Sequence, residues 1–284
     1  RLEGLSFIQG IFTNLTQDHL DYHETMDNYR EAKVKLFQNG FSKKAIINRD
    51  DESHQYFLDN ASDKDPIIFG IDDLEFFKNS ENGFICQLNN YVFELPLVGE
   101  FNLSNAIAAY QSVKCLGYSD DQIIPFLAKL SPPPGRMQQL ENSHIWIDYA
   151  HTPDALDNAL STLKTHYPEF KIRVIFGCGG DRDKGKRQIM GKIASETADS
   201  IILTNDNPRS EDPQSIVDDI LAGTKVENDV QVILDRGDAI KSAVQTLGEE
   251  EALLIAGKGH ETTQVIGSKT LQFSDIEVAL NALN

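Results

Sequence analysis

The run Lys171-Ile172-Arg173-Val174-Ile175-Phe176-Gly177-Cys178-Gly179-Gly180-Asp181-Arg182-Asp183-Lys184 decides how this chain folds. Residues 172–176 are a short apolar run of the length expected for a buried strand. The next eight residues are polar and glycine-rich, and 185–197 then takes up helical spacing. Strand, loop and amphipathic helix make one unit of an α/β domain, and the unit recurs on both sides. Apolar runs near 144–149, 200–204, 230–234 and 252–256 read as further strands, with amphipathic stretches near 153–165, 213–222 and 237–247 between them. This alternation predicts an α/β fold with a Rossmann-like, mostly parallel sheet. Residues 264–266 and 270–273, about Gly267-Ser268, read as a hairpin before a last helix.

Upstream, Ser131-Pro132-Pro133-Pro134-Gly135 marks a boundary, because three prolines bar a helix and favour an extended linker. The expected domains are 1–133 and 134–284, in line with two domains for 284 residues. The first domain is less regular. Gly83–Leu88 and Tyr91–Leu95 flank Asn89-Asn90 as a hairpin. Asn102–Leu116 reads as a helix stopped by Gly117. No glycine-rich phosphate loop occurs in it.

Composition narrows the function. The net charge of −18 repels nucleic acids and anionic membranes. An anionic substrate would need local positive charge, and the densest run is Arg182, Lys184, Lys186 and Arg187. No apolar run approaches the roughly 18 residues of a membrane span. The three cysteines, Cys86, Cys115 and Cys178, are odd in number and far apart, which fits a reducing cytoplasm better than a disulfide framework. No signal peptide opens the chain, and Arg1 stands where Met would, so the expectation is an N-terminally incomplete chain.

Four segments follow predicted strands: 148–153, 177–184, 206–209 and 257–261. In an open α/β sheet, ligands bind beyond the carboxyl ends of strands, so all four should crowd one rim. Each alone also reads as an ordinary polar loop. Together they mix Arg, Lys, Asp, Glu and His, as a zwitterionic ligand requires. In the first domain, a helix over Thr25–Asn39 sets Met26, Tyr29, Leu36 and Phe37 on one apolar face, with Lys33 in its middle. Lys33 either snorkels to water or keeps a desolvated amine that is neutral and reactive. A neutral amine can take up carbon dioxide as a carbamate able to hold magnesium. Upstream, Asp18, His19, Asp21 and His23 either bind metal or form a polar helix start.

Taken in order, these residues resemble the Mur ligase family. The likeness runs through 13–23, Tyr29-Arg30-Glu31-Ala32-Lys33, Pro134-Gly135-Arg136-Met137, 148–154, 177–187 and 257–261, and covers essentially the whole chain. It implies the C-terminal part of a central ATPase-type α/β domain, followed by the amino-acid-binding C-terminal domain. Asp206-Asn207-Pro208-Arg209 resembles the family's recognition motif for meso-diaminopimelate. The implied activity is ATP-dependent ligation of meso-diaminopimelate to UDP-N-acetylmuramoyl-L-alanyl-D-glutamate, in peptidoglycan biosynthesis. The resemblance implies ATP and Mg2+, a cytoplasmic monomer when full length, and no nucleic-acid or membrane partner. It implies Lys33 as the carbamylated residue and His19 as its neighbour at the metal–phosphate site. Arg182, Asp206, Asn207, Pro208, Arg209, Gly257 and Glu261 would contact diaminopimelate, and Arg1 the muramyl dipeptide. Arg136, Asp148, Tyr149 and His151 would face ATP. The family places its uridine-nucleotide domain, ATP loop and a metal-binding Glu before the point where this chain begins, so the chain alone is expected to be inactive. The alternatives are a lysine-adding ligase of the same family and a non-catalytic amino-acid-binding fragment.

Overall fold

The structure is a computed structural model, and it describes residues 4–80, 82–140, 143–225 and 229–283. The chain forms two compact units, Arg1–Ser131 and Pro132–Asn284.

In the first unit, β1 (Phe7–Phe12), β2 (Ser42–Asn48) and β3 (Ile67–Phe69) form a parallel sheet in that order. The connections carry α1 (Leu20–His23), α2 (Met26–Val34) and α3 (His54–Asn60). Phe12, Val34, Phe37, Ala45, Ile47 and Phe57 close one core, with Phe12 stacked on Phe57 at 3.8 Å. An antiparallel meander follows: β4 (Phe76–Ser80), β5 (Gly83–Leu88) and β6 (Tyr91–Leu95). The Asn89-Asn90 turn has φ of 48° and 67°, the left-handed pair that a two-residue hairpin needs. α4 (Glu100–Cys115) and α5 (Asp120–Leu127) complete the unit and share a second core with the meander. Gly117, at φ 94°, ends α4 as its sequence position predicts.

The helix expected over 25–39 is shorter. Thr25 Oγ1 caps α2 by accepting from the Asn28 N–H at 3.2 Å. After Val34 the chain tightens into a 3-10 turn, Lys35–Phe37, and then reverses at Asn39 and Gly40, with φ of 52° and 75°. The tightened turn swings Phe37 into the core beside Val34. Lys33 therefore lies beside the buried stripe, half-buried, and not in the middle of it.

β1 carries Phe7, Ile8, Ile11 and Phe12 about Gln9 and Gly10, and among the described residues it pairs on one side only. Ile8, on one face, is 66% exposed and Ile11, on the other, 37%. An open, apolar strand edge is a weak point for local opening. Limited proteolysis of this chain is expected to cut the first unit well before the second. Equal resistance of the two units would count against that expectation.

The second unit holds a six-stranded sheet in the order β11-β10-β9-β12-β8-β7. In chain order these are β7 (Gln138–Gln139), β8 (Ile145–Asp148), β9 (Lys171–Phe176), β10 (Ser200–Leu203), β11 (Asp229–Val232) and β12 (Glu251–Ala256). All pairings are parallel except β7 with β8. The crossovers are α6 (Pro153–His166), α7 (Gly185–Thr197), α8 (Pro213–Leu221) and α9 (Arg236–Gln245). A hairpin of β13 (Thr263–Ile266) and β14 (Lys269–Gln272) leads into α10 (Asp275–Leu283). α9 and α10 pack on the face formed by Ile145, Ile147, Ile175, Leu253 and Ile255. α6 and α7 cover the opposite face, where the alternate residues of each strand point. Both faces are covered, so the central strands β8, β9, β10 and β12 are mostly apolar, which is why the sequence betrays them.

Candidate active site

Parallel pairing brings the ends of β8, β9, β10 and β12, at Asp148, Phe176, Leu203 and Ala256, to one edge of the sheet. The four loop segments of the sequence therefore emerge side by side.

Two of these loops are locked together. Lys258, fully buried, lies 3.0 Å from Glu261 Oε2 and 3.5 Å from Asp206 Oδ1, and donates to Asn207 Oδ1 at 3.3 Å. Asn207 Nδ2 donates to Glu261 Oε2 at 3.2 Å, and Asn207 Oδ1 also accepts from the Val265 N–H at 2.9 Å. Gln264 Nε2 holds the Asp206 carbonyl at 2.9 Å. Burial alone would raise the Glu261 carboxyl, but its bond to Lys258, that lysine's charge and the Asn207 amide outweigh burial and hold it below the usual range. Glu261 is thus an anion at neutral pH.

Pro208 is buried, and its carbonyl sits so close to Gly180 that a Cβ there would lie 1.9 Å away. Arg209 follows in the left-handed region, at φ 50°. Its N–H donates to the Val265 carbonyl at 3.1 Å and its Nη1 to the Gly180 carbonyl at 2.7 Å, so it spans from the hairpin to the glycine-rich loop. Gly257, at φ 118°, is anchored through its N–H to the Asp148 carbonyl at 3.0 Å. Beneath it, Arg236 is buried and bidentate to Asp275 at 2.7 Å, and donates to the Ala256 carbonyl at 2.9 Å.

The basic run does not act as one patch. Arg187 is buried and pairs with Glu211 and Asp219, each at 2.9 Å, and it pulls the Glu211 carboxyl down to about 2. Lys184 is also 3.0 Å from Glu211, and Lys186 donates to the His151 carbonyl at 2.7 Å. Three of the four cations in the densest basic run thus brace loops. Arg182 is exposed and donates to the Asp181 carbonyl at 3.0 Å.

Tyr149 is the hub of the third segment. The Arg136 guanidinium lies 4.6 Å from its ring centroid, His151 at 4.6 Å and His260 at 5.4 Å, while the Tyr149 hydroxyl donates to Glu261 Oε1 at 3.4 Å. Asp148 stands apart. It is buried and accepts from the Met137 N–H at 2.7 Å, and burial raises its carboxyl despite that bond and the nearby Arg136. Asp148 organises the linker, while Arg136, Tyr149 and His151 form the accessible group.

In the first unit, the stretch after β1 is tied down by Asn48 Nδ2 on the Thr13 carbonyl at 2.7 Å and by the Leu15 N–H on Asp51 Oδ2 at 2.7 Å. His19 has φ 56° and begins α1. The Tyr29 ring gathers the cluster: His23 stacks on it at 4.9 Å, His19 meets it edge-on at 6.1 Å, and Lys33 Nζ is 5.0 Å from its centroid. Burial lowers the Lys33 amine, opposed by the negative charges of Asp51 and Asp18. Among the described residues, no group of three or more His, Cys, Asp or Glu side chains is arranged to hold a metal ion. Arg1 and the Asp21 side chain lie outside the described residues.

Residues 1–113 match the Mur ligase middle domain, and residues 135–259 match the Mur ligase glutamate ligase domain. The chain belongs to the Mur ligase family. A Rickettsia conorii protein named UDP-N-acetylmuramoyl-L-alanyl-D-glutamate–2,6-diaminopimelate ligase is 41% identical over 290 residues, covering 98% of this Mur ligase chain and 60% of its own length. A solved structure with the same name is 36% identical with a TM-score of 0.60, covering 99% of this chain and 61% of its own. Mycobacterium tuberculosis folylpolyglutamate synthase complexed with ADP shares the fold at 20% identity and a TM-score of 0.71, over 88% of this chain and 60% of its own. The chain spans about three fifths of the length of the curated relatives it matches. No helix among the described residues is long and apolar enough to cross a membrane.

Sequence reasoning singled out Gly257 and Glu261 in this Mur ligase chain but passed over Lys258 between them. A lysine flanked by two glycines at a strand end was the available signal. It also missed Arg236, because the partner that keeps it buried, Asp275, is 39 residues away.

Proposed function

We propose that this chain forms the amino-acid half, and part of the ATP half, of a ligase that joins meso-diaminopimelate to UDP-N-acetylmuramoyl-L-alanyl-D-glutamate, with ATP giving ADP and phosphate. The observation that carries this reading is the convergence of Arg209, Asp206, Asn207 and Glu261 on one rim. Meso-diaminopimelate bears a second carboxylate and ammonium at its far end. An arginine fork suits that carboxylate, and Glu261 suits an ammonium. Arg182, exposed beside the same loop, supplies a second guanidinium. Pro208 and Gly257 fix the backbone on which these groups sit.

The acceptor carboxylate would first take a phosphoryl group from ATP, and the diaminopimelate amine would then displace phosphate through a tetrahedral intermediate. Magnesium, when bound, would neutralise charge on the transferring phosphoryl group. The residues present fit a share of that site: Lys33 as its carbamate and His19 would face it, both gathered by Tyr29. Arg136, Tyr149 and His151 offer a cation over a stacked aromatic surface for the nucleotide. Arg1 would contact the muramyl dipeptide.

The test is amino-acid choice. The natural gene product carrying this chain should use meso-diaminopimelate in strong preference to lysine, measured as the ratio of kcat/KM. Lysine would leave the Arg209 charge uncompensated, which typically costs about 2–5 kcal/mol in a desolvated site. A preference for lysine would overturn the assignment in favour of the lysine-adding branch.

A further inference from the structure

We propose that Lys258 is a positioning residue of the amino-acid site, a buried cation that clamps the loops after β10 and β12 together and presents Glu261 to the substrate's ammonium group. The proposal rests on the rim being the amino-acid site. A lysine with no exposed surface is rare unless it is paired. Here the ammonium donates to acceptors from two loops, Glu261 Oε2 at 3.0 Å and Asn207 Oδ1 at 3.3 Å, and lies in ion-pair range of Asp206 Oδ1 at 3.5 Å. Gly257 and Gly259, at φ 118° and 53°, let the backbone turn the side chain inward, a path that L side chains at those positions would strain. Without the lysine, Asp206 and Glu261 would be two carboxylates sharing one buried corner, which disfavours ionising both.

Glu261 faces few other charges. Tyr149 offers a neutral hydroxyl at 3.4 Å, and the Arg136 guanidinium and the His151 and His260 rings gather about the Tyr149 ring, at 4.6, 4.6 and 5.4 Å from its centroid. Asp206 is of like sign. Arg236 acts on Glu261 from β12's buried side, but Asp275 matches its charge. Lys258 is therefore the main group that opposes burial at Glu261. Remove it, and burial and Asp206 together push the Glu261 carboxyl upward. The carboxylate would then protonate at a higher pH than in the wild type, and the ammonium subsite would lose its anion as pH falls.

The test measures KM and kcat for meso-diaminopimelate from about pH 6 to about pH 8.5 in the natural gene product and in its Lys258→Met and Lys258→Gln variants. Glutamine keeps amide donors toward Asn207 and Glu261, so it carries the test if the methionine variant does not fold. Both variants should show KM rising toward low pH, approaching about tenfold per pH unit below the new Glu261 value, with kcat changed much less. The wild type should be flat over the same range. Adding Glu261→Gln to either variant should abolish the slope. A KM that is unchanged, or raised equally at every pH, would overturn the proposal, since a merely structural lysine predicts one of those results. If the wild type did not use meso-diaminopimelate at all, the proposed function would fall and this inference with it.

Discussion

On the proposed function, Lys33→Ala in the natural gene product carrying this chain is expected to reduce ligation by roughly 100- to 1,000-fold, the range typical for removing one group that stabilises transition-state charge. The reasoning starts from the amine's surroundings. Lys33 is half-buried in the last turn of α2, with Nζ 5.0 Å from the Tyr29 ring centroid. Burial lowers its pKa, although Asp51 and Asp18 pull the other way. A lowered pKa enlarges the neutral fraction, and only the neutral amine can add carbon dioxide. Lys33→Arg is the sharper variant, since it keeps the cation but cannot form a carbamate. It should be nearly as inactive as alanine. Short-chain carboxylic acids should restore part of the alanine variant's turnover by supplying the missing oxygens, and should do nothing for wild type. Turnover close to wild type in either variant, assayed at low carbon dioxide, would return Lys33 to the role of an ordinary lysine reaching for water.

On the same proposed function, Arg209→Ala in the natural gene product should raise KM for meso-diaminopimelate by roughly 30-fold or more, from the several kcal/mol at stake when one partner of a desolvated charge pair is truncated. KM for ATP and for the muramyl nucleotide should move little. One side of the guanidinium is held by the Gly180 and Asn207 carbonyls, at 2.7 and 3.4 Å from Nη1, which orients the remainder of the fork. Arg209→Lys separates charge from shape: a point charge without the planar fork should recover only part of the loss. An arginine that merely ties the glycine-rich loop would instead lower stability and leave the diaminopimelate-to-lysine ratio where it was. An unchanged ratio in Arg209→Ala would therefore remove Arg209 from the specificity site.

The second unit was legible because its strands are buried on both faces, so Ile172–Phe176 and its counterparts stand out against polar helix surfaces. The first sheet was not. β1 carries Gln9 and Gly10 at its centre, and β2 opens on Ser42, Lys43 and Lys44, so neither looks like a buried run. The end of α2 was misjudged because a 3-10 turn brings Phe37 inward at a spacing that α-helical periodicity does not anticipate. In the candidate site, local motifs named residues but not their partners. Nothing near Arg187 announces Glu211, and nothing near Asp148 announces that its carboxylate takes the Met137 N–H. Those pairings depend on which strand ends lie side by side, and only the sheet order supplies that.

The glycine after the three prolines has a bearing on how this chain can be recombined. At Gly135, φ 65°, a Cβ would lie 2.2 Å from the Gly259 carbonyl carbon, and at Gly259 one would lie 2.7 Å from the Gly135 carbonyl oxygen. The two backbones touch, so neither position tolerates a side chain unless the other moves. Hybrids that exchange halves between relatives should thus be spliced within Pro132–Pro134, because a junction even a few residues later would separate Gly135 from the loop it was shaped against. Saturation libraries at either position should return glycine almost exclusively, and the pair is best inherited as one unit.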